Sequence, residues 1–218
     1  RTLETLEAPM RTLILTAAAL ALSGLGQPAL ATPGSGSGPS GASAITPTAE
    51  MVDDLLWMRE EEKLARDVYA TFWMAYGTPV FRNIARSEHT HMARLDDALD
   101  ARNLPDPVIP GIGNFSDPVL DGLFTDLTTQ GATLADAVTV GAFIEELDIL
   151  DLQHAIDRSI DPQLDGLYEA LMCGSRNHLR AFVPQVEGLT GVDYASQVLP
   201  QAEVDAILAG PHESCGQP

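Results

Sequence analysis

Four stretches of this chain repeat apolar residues at alternating intervals of three and four, and each stripe is broken near its middle by an acid or an imidazole. Such spacing places residues on one face of an α-helix. Along 51–76 the stripe is Leu55, Met58, Glu62, Ala65, Tyr69, Phe72 and Tyr76; along 79–102 it is Ile84, Glu88, His91, Leu95 and Ala98. Along 134–159 it is Leu134, Val138, Gly141, Glu145, Asp148, Leu152 and Ala155, and along 162–186 it is Leu164, Leu167, Leu171, Ser175, His178 and Phe182. A carboxylate facing a core is costly unless it is protonated, paired with a cation or bound to a metal ion. Any fold for this chain must therefore bring its inward acids together with something that neutralises them.

The breaks between stripes set the order of the helices. Gly77-Thr78-Pro79 ends one helix and starts the next, and Asp161-Pro162 does the same for the second pair, so both pairs read as antiparallel hairpins. Glu62 lies 15 residues before Gly77 and His91 lies 12 after Pro79. At about 1.5 Å per residue the two fall within a turn of equal height. Glu145 and His178 lie level by the same count. Residues 103–133, rich in Pro and Gly, are long for a link between neighbouring helices and hold one short helical candidate at 117–129. A crossover from one end of a bundle to the other accounts for that length. Pro184 is expected to end or kink the fourth helix, and 201–208 is a last short helix.

Residues off the stripes are expected to face water. These are Glu60, Glu61 and Lys63 on the first helix, Glu146 and Asp151 on the third, where a second buried face is the alternative, and His89 and His154. Tyr69 reads either as a packed core residue or as a hydrogen-bond donor to the inward acids.

The ends of the chain read differently. Met10-Arg11, the apolar run 13–25 and Ala29-Leu30-Ala31 have the order of a cleavable export signal, giving a signal segment at 1–31 with a true start at Met10. Residues 32–50 read as a flexible linker, 51–187 as the bundle and 188–218 as a tail. The expected location is the periplasm or the cell exterior, with no membrane span once the signal is removed. In that setting Cys173 and Cys215 either pair or stand as unrelated thiols. Twelve Lys and Arg against 31 Asp and Glu give a net charge of −19, which argues against nucleic acid as a partner. The chain lacks a Gly-rich phosphate loop, a serine nucleophile elbow and a C-x-x-C pair.

The segments 58–69, 87–92, 144–152 and 175–182 resemble the family catalogued as DUF 2202, within the ferritin-like superfamily. The resemblance implies an all-α, ferritin-like four-helix bundle made of two antiparallel hairpins joined by a long crossover. Di-metal carboxylate bundles take a Glu from each of two helices and a Glu-x-x-His from each of the other two. Glu62 and Glu145 match the single acids, and Glu88 with His91 matches one pair. His178 matches the second, but Ser175 stands where its Glu belongs, so Asp148 would have to supply that carboxylate. The chain is similar to rubrerythrin in Tyr69, seven residues after Glu62, and in Asp148, three after Glu145, but it lacks a rubredoxin module.

The implied cofactor is two iron ions, with manganese the other metal these ligands suit. The implied chemistry is oxidoreductase, with peroxide, dioxygen or ferrous iron as the small partner, and a homodimer is compatible with it. Two other functions remain open: a metal-binding or sensing module without turnover, and an interaction bundle in which Arg176 and Arg180 pair the inward acids.

Overall fold

Helix-start and helix-stop residues divide the chain much as its periodicity does. A computed structural model describes residues 46–216, and among them every regular element is helical. Helix α1, Ala49–Tyr76, starts where the Thr48 hydroxyl accepts the Met51 N–H and stops at Gly77, whose φ of 65° suits the left-handed turn. Helix α2, Pro79–Asp100, follows directly. Helix α3, Pro118–Gln130, is capped by Asp117, and α4, Leu134–Arg158, by a reciprocal Thr133/Asp136 box. Helix α5, Pro162–Thr190, is capped by Asp161, and α6 is Gln201–Ala209.

Helix α5 continues past Pro184 to Thr190, so of the two expected outcomes, an end or a kink, Pro184 does not end it. Phe182, Val183 and Val186 are buried on either side while Pro184 faces solvent, so packing carries the helix past the missing N–H. The expected signal segment 1–31 and linker residues 32–45 lie outside the described residues. No helix among the described residues is long and apolar enough to cross a membrane.

Helix α1 packs chiefly on α2 and α4 chiefly on α5; across the bundle α1 meets α4 and α2 meets α5. One end is filled by Leu55, Met58, Leu95, Leu99, Leu152 and Leu171 among others. The other end is aromatic, with Phe81 lying 5.4 Å from Phe72 and 5.8 Å from Phe182 between ring centres. The inward acids and imidazoles occupy the layer between. Because α2 ends beside the first layer and α4 begins beside the second, residues 101–133 travel the length of the bundle.

That crossover buries residues expected to be solvated. Glu60 accepts hydrogen bonds from the Ser116 N–H (2.8 Å) and hydroxyl (2.6 Å). Lys63 is fully buried, donates to Asp67 (2.6 Å) and the Gly111 carbonyl (3.0 Å), and sits 4.1 Å over the Phe115 ring. Glu61 is buried too and accepts from the Trp57 indole (3.1 Å). Glu146 is covered by the segment after α5, where it accepts from Tyr194 and from the N–H groups of Gln197, Val198 and Leu199. Glu60 and Glu146 leave water because loops, rather than helices, cover their faces, and each receives donors in exchange, whereas Glu61 lies beside Asp148 and Asp151 of α4. Of the other off-stripe residues, His89 is exposed, while His154 and Asp151 are half-buried.

Residues 213–215 are fastened to α5. Cys173 and Cys215 form a disulfide. Arg176 and Arg180 both pair with Glu213, at 2.5 and 2.8 Å, and not with the inward acids as one expectation had it. Hydrogen bonding from Arg176, then from Arg180, lowers the Glu213 carboxyl to about 2 against its burial. A depressed carboxyl stabilises the docked tail fully above its unfolded value of 4.5, and that contribution fades as pH falls toward 2. Carboxyl-carbon NMR is expected to show Glu213 titrating near 2, and Arg176→Gln is expected to move the midpoint back toward 4.5. An unshifted Glu213 in the native chain would contradict the pairing.

Candidate metal centre

Glu62, Glu88, His91, Glu145, Asp148 and His178 are all more than nine-tenths buried, and α1, α2, α4 and α5 all contribute to the set. Glu88 is its centre. Its Oε2 lies 2.8 Å from His91 Nδ1, and its Oε1 lies 2.9 Å from His178 Nδ1. Each imidazole nitrogen also faces an acid of its own, with His91 Nδ1 3.2 Å from Glu62 and His178 Nδ1 3.2 Å from Glu145. The two rings stack with centres 5.5 Å apart. One ligand atom from each of Glu88, His91 and His178 can be chosen so that all lie within 4.8 Å of one another, close enough to hold a metal ion.

The surroundings bear on the charge of this layer. Burial pushes Glu62 up to about 7, with His91 pulling the other way. Burial likewise raises Glu145, opposed by His178. Burial opposes the charge on Glu88 as well, but imidazoles on both sides outweigh it and hold the group below the usual carboxylate range. Burial disfavours the charged form of His178, yet Glu88 and Glu145 raise it to about 10. Asp148 is raised well above its ordinary value by burial and by the neighbouring Glu62 and Glu145.

Several buried carboxylate oxygens are left without hydrogen-bond partners. Glu62 Oε1, Glu88 Oε1 and Asp148 Oδ1 are buried and accept no hydrogen bond; Glu88 Oε1 is near His178 Nδ1 but out of line with its N–H. Four carboxyl groups and two imidazoles in one buried layer, with oxygen lone pairs unused by protein donors, fit a divalent cation with hard to borderline ligand preference. The absence of thiolate from the set fits iron or manganese better than structural zinc.

Periodicity singled out Ser175 among the neighbours of this cluster, but neither Ser87 nor Gly174. Ser87, half-buried on α2, lies 2.9 Å from His178 Nε2 through its hydroxyl. Ser175 donates its hydroxyl to Asp148, so the residue standing in the missing Glu position instead holds the acid one helix away. Gly174 makes room for a ring, since a Cβ there would fall 2.6 Å from His91 Cε1 and Nε2. A glycine inside a helix costs about 1 kcal/mol relative to alanine, and that cost was the available sign of a close approach at Gly174. Tyr69 donates to Glu145 at 2.5 Å, within the aromatic end of the core, and is both packed and hydrogen-bonded.

Fold and site together define an all-helical bundle whose interior carries a Glu/His/His cluster able to accept a metal ion. The chain belongs to the family described as Uncharacterized protein domain (DUF2202), which matches residues 51–211. It is similar to the uncharacterized protein MJ0754 of Methanocaldococcus jannaschii, 42% identical over 166 residues, covering 75% of this chain and 89% of that one. The crystal structure of hypothetical protein MJ0754 from Methanococcus jannaschii aligns with a TM-score of 0.75 at 40% identity, covering 80% of this chain and 100% of that chain.

Proposed function

We propose that this chain is a ferritin-like metal protein whose bundle binds two iron ions and acts as an oxidoreductase on peroxide, dioxygen or ferrous iron. The observation that carries this reading is Glu88 standing between two imidazoles from opposite hairpins, each nitrogen also facing a carboxylate of its own. That arrangement matches a bridging acid with one imidazole and one terminal acid for each ion. Glu62 and His91 would hold one ion, and Glu145 and His178 the other. Asp148 Oδ1 has a free lone pair to complete the second set while Ser175 steadies its other oxygen. Bound iron supplies one-electron redox chemistry at this site.

The protein's own residues supply the rest. The apolar layers on both sides exclude water from the carboxylates, which strengthens their hold on a cation. Tyr69 orients Glu145 by hydrogen bonding to Oε1, leaving Oε2 directed at His178. Without a cation, protons occupy the imidazole–carboxylate contacts, so loading must displace them and affinity should rise with pH. The Cys173–Cys215 disulfide supports an oxidising location outside the cytoplasm.

One observation favours a second reading. The Ser175 hydroxyl already engages Asp148, and a second ion short of a carboxylate suits a one-metal binding module without turnover. Anaerobic titration with ferrous iron separates the two. The di-metal pattern leads to about two ions per chain, proton release on loading, and peroxide consumption beyond that of free iron. One ion without peroxide consumption supports the binding module, and no uptake by fully helical protein overturns both.

A further inference from the structure

Resting on the metal reading above, we infer that Ser87 is a positioning residue: its hydroxyl holds His178 from the neighbouring hairpin in the tautomer and orientation that present Nδ1 to a cation. An imidazole that ligates through Nδ1 must carry its remaining proton on Nε2. His178 Nε2 lies 2.9 Å from Ser87 Oγ, which in that tautomer accepts a hydrogen bond from the Nε2–H. Metal-ligating imidazoles are regularly fixed in this way through their far nitrogen.

Ser87 precedes Glu88 on α2, and His91 follows one turn later, whereas His178 comes from α5. A single turn of α2 therefore provides the central acid, one imidazole, and the hydrogen bond that fixes the other. The two rings are held by different means. His91 is wedged where Gly174 lacks a Cβ, while His178 is held by the hydroxyl of a half-buried serine. Losing Ser87 should therefore weaken the His178 half of the site and spare the His91 half.

Cobalt(II) is the probe, added to the full chain and to Ser87→Ala and Ser87→Thr. The native chain is expected to bind in two steps and to show a slowly exchanging, hyperfine-shifted imidazole N–H from each ligating ring. Ser87→Ala should weaken one step about 10- to 100-fold. It should also speed solvent exchange of one N–H signal while far-UV circular dichroism stays unchanged, and Ser87→Thr should restore both. If the native chain binds two cobalt ions and Ser87→Ala binds them equally with both N–H signals intact, the role of Ser87 is overturned and the metal site stands. If the native chain takes up no cobalt, the metal reading itself fails and this inference with it.

Discussion

Glu88→Ala is expected to empty both metal positions at once, whereas Glu62→Ala and Glu145→Ala should each empty only one. The reason is geometric. Glu88 offers one oxygen to the neighbourhood of each imidazole, at 2.8 and 2.9 Å, while Glu62 and Glu145 each approach a single ring. Loss of an outer hydrogen-bond partner alone weakens a metal site roughly 10- to 100-fold, so loss of the shared ligand should exceed about 100-fold at both positions. Metal content per chain, measured with circular dichroism on the same samples, checks the pattern. Equal losses from all three variants would mean that Glu88 has no central place.

The second large effect concerns stability rather than the site. Asp67→Ala removes the only carboxylate among the described residues that reaches Lys63, whose side chain and that of Asp67 are both 0% exposed. The ammonium would be left with the Gly111 carbonyl and the Phe115 ring, and the Gly113 N–H would lose its acceptor. Breaking a buried pair on one side costs about 3–5 kcal/mol. For a chain of this size that lowers Tm by roughly 10 °C. Replacing Lys63 by methionine in the same chain should recover much of the loss, because the fully buried charge is then gone, while the Arg66 guanidinium that also loses Asp67 is about a quarter exposed and can turn to water. A double variant no more stable than Asp67→Ala would show that the cost lies in the crossover contacts instead. Protease sensitivity within 103–117 should rise in the single variant and report the same event.

Lys63 also marks the limit of what periodicity discloses. The three-four spacing depends only on which way a helix face points, so it sufficed to turn Glu62, Glu88, His91, Glu145, Asp148 and His178 inward. It also bounded α1, α2, α4 and α5 closely, because Gly77, Pro79, Thr133 and Asp161 act locally. Glu60, Lys63 and Glu146 were misjudged because irregular segments cover them: the crossover over α1 and residues 194–199 over α4. Such segments have no period to betray which helix face they will lie on. Pro184 fails to end its helix for the complementary reason, a local rule overridden by the apolar residues around it. Ser87 could not be singled out, since its partner is 91 residues away and a serine on a helix has no phase of its own.

Anomalous scattering at the iron edge from crystals loaded with ferrous iron tests the central claim most directly. The account leads to two peaks inside the bundle, one beside Nδ1 of His91 and one beside Nδ1 of His178, with the Glu88 carboxylate between them. An interior free of anomalous signal while the crystals remain intact, or iron confined to the acidic surface, would contradict it.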